Sequence, residues 1–120
     1  MGNASVTDEG ETTPGFGQAV IHLGDKWKVR AWGGCDSERA WLLRDRLDHL
    51  AATGQRCITL DVSELRFADF TAVAILVGAL NRIRQRGAEV AVSPPSGGAY
   101  QVLKRAELTT ARAVRAVRLR

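Results

Sequence analysis

A chain of 120 residues with 45% hydrophobic and 25% charged side chains can bury one core without disulfides or a metal, which excludes a multidomain enzyme and a disulfide-held miniprotein. Its longest apolar run, Ala72 to Leu80, is about half of the roughly 20 residues that a membrane span needs, and Gly78 interrupts it, so no transmembrane helix is expected. The formal charge of +4 sits mainly at the ends: residues 1–18 carry Asp8, Glu9 and Glu11 with no base, residues 111–120 carry Arg112, Arg115, Arg118 and Arg120 with no acid, and the body between lacks the basic, aromatic-interleaved stripe of a nucleic-acid binder.

In chain order, residues 1–18 are rich in Gly, Thr, Ser and acid with almost no large apolar side chain, and are expected to form a flexible acidic tail. No basic segment followed by an apolar one marks a secretory signal, and Val6 stands where a myristoylation motif has Ser or Thr. The folded body, residues 19–110, opens on a strand from Ala19 to Leu23, turns at Gly24-Asp25, and returns as a strand from Trp27 to Trp32, with Trp27, Val29 and Ala31 on one face and Lys28, Arg30 and Trp32 on the other. Gly33-Gly34 is expected to break that strand, and Asp36 and Ser37 both suit the N-cap of a helix whose apolar stripe is Ala40, Leu43, Leu47, Leu50 and Ala51 and whose end is Gly54. Ile58, Leu60 and Val62 predict a strand, with Thr59 and Asp61 on its other face. A second helix buries Val73, Leu76, Val77, Leu80 and Ile83 and stops at Gly87. Val90 to Val92 predicts another strand, the Pro94-to-Gly98 stretch a loop, and Tyr100 to Ala106 a short third helix. Residues 111–120, a basic segment, fit a last strand or a short helix equally well. This alternation after an opening hairpin predicts an α/β domain with a mixed sheet and helices packed on one or both faces.

The residues that could carry chemistry are few. His22 and His49 have no ligand partner at metal spacing, and neither a nucleophile elbow nor a phosphate loop occurs, so neither metal nor cofactor is expected and the chain reads as non-enzymatic. Gly15-Phe16-Gly17 lacks the preceding strand that would give it a nucleotide-binding meaning. Cys35 and Cys57 read as small buried hydrophobes in a reducing, cytoplasmic compartment. Asp61 and Asp69 could serve as acids, bases or ligands near a strand end and a helix start. The structural alternatives are a backbone amide or basic neighbour for Asp61 and a helix cap for Asp69. Thr71 is either a first-turn hydroxyl or a phosphorylation target, because a helix N-terminus tolerates added negative charge. Trp32, on a face with Lys28 and Arg30, is a candidate for a docking surface.

From Ala19 to Leu108 the order of motifs resembles a STAS domain of the anti-sigma-factor-antagonist family. Gly33-Gly34-Cys35-Asp36 is similar to the family's Gly-Glu-Leu-Asp, Leu60-Asp61-Val62-Ser63 with Phe67-Ala68-Asp69 to its Leu-Asp-Leu-Ser and Phe-x-Asp-Ser-Ser-Gly, and Val102-Leu103 with Leu108 to its terminal Val-Leu-x-x-x-Gly-Leu. The resemblance implies a non-enzymatic regulator that binds an anti-sigma factor of the serine-protein-kinase type, with Thr71 at the phosphorylated Ser position and Asp36, Asp69, Phe70, Thr71 and Ala72 at the partner-binding corner. Phe70 replaces the first Ser and Ala72 the Gly, and Glu107 stands where Gly is common. The same resemblance admits an accessory subunit of an ABC-type lipid transporter, or a non-phosphorylated scaffold of a stressosome-like assembly.

Overall fold

The computed structural model describes the backbone of residues 4–9, 15–95 and 97–118. Five strands, β1 (Ala4–Glu9), β2 (Phe16–Leu23), β3 (Lys26–Cys35), β4 (Cys57–Phe67) and β5 (Glu89–Ser93), lie in the order β1-β2-β3-β4-β5. The first three pair antiparallel, and β3-β4 and β4-β5 pair parallel, which makes the mixed sheet that the alternating pattern predicts. A parallel pair needs a crossover, and two helices supply it: α1 (Ser37–Ala52) between β3 and β4, and α2 (Phe70–Gln85) between β4 and β5. A third helix, α3 (Gly98–Arg118), follows β5.

The core lies between the sheet and a single layer of helices. Val29 and Ala31 of β3 and Ile58, Leu60 and Val62 of β4 face Leu43 and Leu47 of α1, Leu76, Leu80 and Ile83 of α2, and Leu103 of α3. Each helix therefore presents its apolar stripe to one sheet face, the arrangement that removes most hydrocarbon from water. The alternation along β4 slips by one at Ser63-Glu64: Val62 and Leu65 are both buried, and the register against β3 jumps there from Asp61 to Glu64. This is a β-bulge, and it carries the strand on to Phe67 with its apolar side still inward.

Three boundaries differ from the sequence expectation. The sheet takes in part of the expected tail: Ala4–Glu9 pair with β2, and Phe16, 2% exposed, begins β2 within the core. Backbone pairing along an open edge needs no apolar side chain, so a polar composition does not forbid a strand there. Gly33 and Gly34 do not break β3. Gly33 takes φ +88, where an added Cβ would lie 1.8 Å from the carbonyl oxygen of Gly15, and the Gly34 amide donates to that oxygen at 2.7 Å. Gly33 allows the close approach of two backbones while the strand runs on to Cys35. The third helix is not short: α3 runs from Gly98 to Arg118, so of the two readings of the basic segment its described residues take the helical one.

Candidate functional site

The parallel strands β3 and β4 end side by side, with Cys35 opposite Phe67 and the Ala68 amide donating to the Cys35 carbonyl at 2.9 Å. Each strand then feeds a helix, so the N-termini of α1 and α2 emerge together at the carboxyl edge of the sheet, where open α/β sheets place their binding sites. Asp36 is the N-cap of α1: its Oδ1 accepts from the Arg39 amide at 3.0 Å, and its Oδ2 meets the Arg39 guanidinium at 3.1 Å. Asp69 is the N-cap of α2 and accepts from the Ala72 amide at 2.8 Å. Of the two readings of Asp69, the structure shows the cap.

Both carboxylates are felt by the thiol between them. Burial, followed by the charges of Asp36 and Asp69 and opposed by Arg39, pushes Cys35 up to about 12. The thiol stays protonated and inert at neutral pH, and the Arg39 guanidinium at this corner is shared between Asp36 and, at 3.3 Å, Glu38 of the first turn of α1.

Phe70 and Thr71 open α2. Phe70 is 87% exposed, Thr71 is exposed, and Ala72 is buried. Thr71 is thus a first-turn hydroxyl one residue inside the cap, reachable from solvent and at the positive end of the helix dipole. Of the five corner residues, Asp36, Asp69, Phe70 and Thr71 present polar or apolar groups at the surface, and Ala72 contributes its amide to the cap. Phe70 also stands at the mouth of a groove of about 530 Å³ between α2 and α3, whose walls include Val73, Val77, Gly78, Val102 and Arg105. The sequence reading missed this groove. Its one linear signal is Gly78 inside an otherwise apolar helix, at a place where no core contact requires glycine.

The other candidates lie elsewhere. Asp61 accepts from the Ser63 amide at 2.9 Å and faces the Lys28 ammonium at 3.4 Å. Burial alone would raise its carboxyl, but the hydrogen bonds from Ser63 and the charge of Lys28 outweigh that and hold it below the usual carboxylate range. It fastens the bulge and does not join the corner. Trp32 lies on the far face of β3 with its indole over Gly17, where a Cβ would come within 2.3 Å of the ring, and Arg30 is placed beside it and paired with Glu64. The indole is half-buried packing against the sheet. His22 stacks on Trp27, and both cysteines are free. Among the described residues no helix is long and apolar enough to cross a membrane.

Residues 19–117 match the family described as "Mlab, STAS domain". No curated protein matches the sequence. Solved structures with the same fold include the anti-sigma-factor antagonist STAS domain from Rhodobacter sphaeroides, 21% identical over 68% of this chain and 88% of that one with a TM-score of 0.55. The Bacillus cell fate determinant SpoIIAA in its phosphorylated form is 16% identical over 83% of this chain and 98% of that one, with a TM-score of 0.60. A crystal structure of Mglu is 24% identical over 64% of this chain with a TM-score of 0.58, and the chain spans only 19% of its length.

Proposed function

The chain belongs to the STAS domain family, and from that premise we propose that it is a non-enzymatic, cytoplasmic regulator of the anti-sigma-factor-antagonist type that docks the α1/α2 corner onto an anti-sigma factor with serine-protein-kinase activity. The observation that carries this reading is the exposed Thr71 hydroxyl, one residue inside the Asp69 cap and beside the exposed Phe70 ring. Phe70 supplies apolar area for a partner to bury, and Thr71 supplies a place where charge can be written.

The switch follows from electrostatics. Phosphate on Thr71 adds a charge of about −1.5 to −2 at the first turn of α2, which the helix dipole tolerates, so the fold survives. The same charge stands beside the Asp69 carboxylate, on a corner that also holds Asp36, and gives a partner a dense negative patch in place of a hydroxyl. A surface complementary to the unmodified corner is thereby repelled.

The test uses a candidate anti-sigma factor with serine-protein-kinase activity from the source organism. With ATP it is expected to add one phosphate, mapped to Thr71 by mass spectrometry. Thr71→Ala is expected to bind the kinase at least as tightly as wild type, and Thr71→Glu about tenfold more weakly, or about 1.4 kcal/mol, with unchanged melting. Equal affinity of wild type and Thr71→Glu defeats the switch. Stable co-purification with an ABC-type ATPase and its permease in place of the kinase moves the chain to the transporter-subunit role.

A further inference from the structure

We propose that the groove between α2 and α3 seats an amphipathic helix of about three turns from the docking partner, carrying a carboxylate on the flank that meets Arg105. The inference deepens the docking reading and rests on it for its location, since Phe70 belongs to both the corner and the groove. It does not rest on phosphorylation.

The walls dictate the shape of the occupant. On α2 the groove is lined by Phe70, Val73, Ala74, Val77, Gly78 and Asn81, which alternate spacings of three and one and so form one unbroken helical stripe. On α3 the lining residues Val102, Arg105, Ala106 and Thr109 repeat the spacing. Two such ridges side by side leave a furrow about 16 Å long at about 1.5 Å per residue, the length of three helical turns. A helix presents side chains at the same spacing, so its ridge fits where an extended peptide, with alternate side chains turned away, leaves half the furrow empty.

The furrow is also shallow-walled at its centre. Ala74, Gly78 and Ala106 carry little or no side chain, and a Cβ added at Gly78 meets nothing within 4 Å. Small residues in a row let a partner backbone come close, as at other tight helix crossings. Val73 and Val77 belong to the core and form the floor of the furrow, whereas Phe70, Ala74 and Gly78 face out of it, since Leu76, Leu80 and Ile83 fill the core on the other side of the helix. Phe70 at 87% and Val102 at 42% exposure leave apolar area in water that a partner's helix removes.

Charge selects the flank. Among the described residues Arg105 is the only charged one on the walls, it is exposed, and it enters no ion pair, whereas its neighbour Lys104 pairs with Glu107 at 3.6 Å. A guanidinium without a partner on the rim of an apolar furrow is matched by Asp or Glu, with the bidentate geometry that Arg favours.

The probe is an acetylated, amidated 14-residue helix-forming peptide with Leu and Ala on one face and Glu on the flanks, compared with a twin that has Lys in place of Glu. Titrated into the isotope-labelled full chain, the Glu peptide is expected to shift amides along the α2 and α3 stripes and to bind at least tenfold tighter than its twin. Arg105→Glu is expected to reverse that preference. Gly78→Leu fills open space, so it is expected to keep the melting temperature within a few degrees and to lower affinity at least tenfold. Equal binding of the two peptides, shifts confined to other surfaces, an unaffected Gly78→Leu, or sedimentation showing the groove occupied by a second copy each overturns the proposal. Because the peptide arm contains no kinase, intact peptide binding alongside a silent Thr71→Glu defeats the switch alone, and the converse result defeats the groove alone.

Discussion

Asp61 and Asp69 are two carboxylates with the same two sequence readings, and each side chain finds a backbone amide. Asp69 accepts from the Ala72 amide and so caps α2, with Thr71 exposed in the first turn. Asp61 accepts from Ser63 and draws in Lys28, and so holds the bulge that keeps Leu65 and Phe67 inward after Val62. The lowered carboxyl of Asp61 has a pH signature. Its contribution to stability is present above the unfolded value of about 3.9 and is lost as pH falls through the still lower folded value. Asp61→Asn is therefore expected to be less stable than wild type at neutral pH, with the gap closing below about pH 4. Urea midpoints across that range check it, and a gap that stays constant down to the acid limit contradicts the assigned role.

Elements are pinned to one another by a few long-range contacts. Helix α3 packs on α2 and β4, and Glu107 meets Arg84 of α2 at 2.7 Å and Lys104 at 3.6 Å, while Arg84 also donates to the Val90 carbonyl of β5 at 3.1 Å. One carboxylate, 13% exposed, thus ties α3 to α2, and through Arg84 to the edge of the sheet. Glu107→Ala is expected to cost about 1 kcal/mol, more than an exposed pair because two cations lose their acceptor and one of them is partly buried. Hydrogen exchange should accelerate in α3 and stay unchanged in β3 and β4. Uniform acceleration throughout the chain would instead place Glu107 in the global core of stability. The α3 wall of the groove depends on this tie, so the same variant is expected to weaken peptide binding there.

At the scale of the whole molecule, function follows from strand order. Because β3 and β4 are parallel neighbours, two crossover helices start at one edge and bring Asp36 and Asp69 to one corner across 33 residues of sequence. At the other end of the sheet β1 covers the edge of β2. Deletion of residues 1–9 is expected to leave the corner and the α2/α3 groove intact, to lower the melting temperature by a few degrees, and to promote aggregation through the exposed edge. Kinase binding at wild-type affinity together with increased light scattering checks this. Loss of binding on deletion would show that β1 supports the corner through the sheet.

The elements themselves were legible in the sequence because local periodicity and capping chemistry record them. The stripe Ala40-Leu43-Leu47-Leu50, the alternation Ile58-Leu60-Val62, the turn at Gly24-Asp25 and the stop at Gly54 each depend on residues a few positions apart. Thr71 and Asp69 were legible as a first turn and its cap for the same reason, and the order of motifs was enough to suggest the family. What only the tertiary structure decided depends on residues far apart in the chain. Gly33 runs on in β3 because of the Gly15 carbonyl, β1 forms on the open edge of β2, and α3 extends to Arg118. The groove is likewise absent from either helix alone: Gly78 and Arg105 become opposite walls only when β4 and β5 set α2 beside α3, and a local pattern carries no record of which face a neighbour will leave bare.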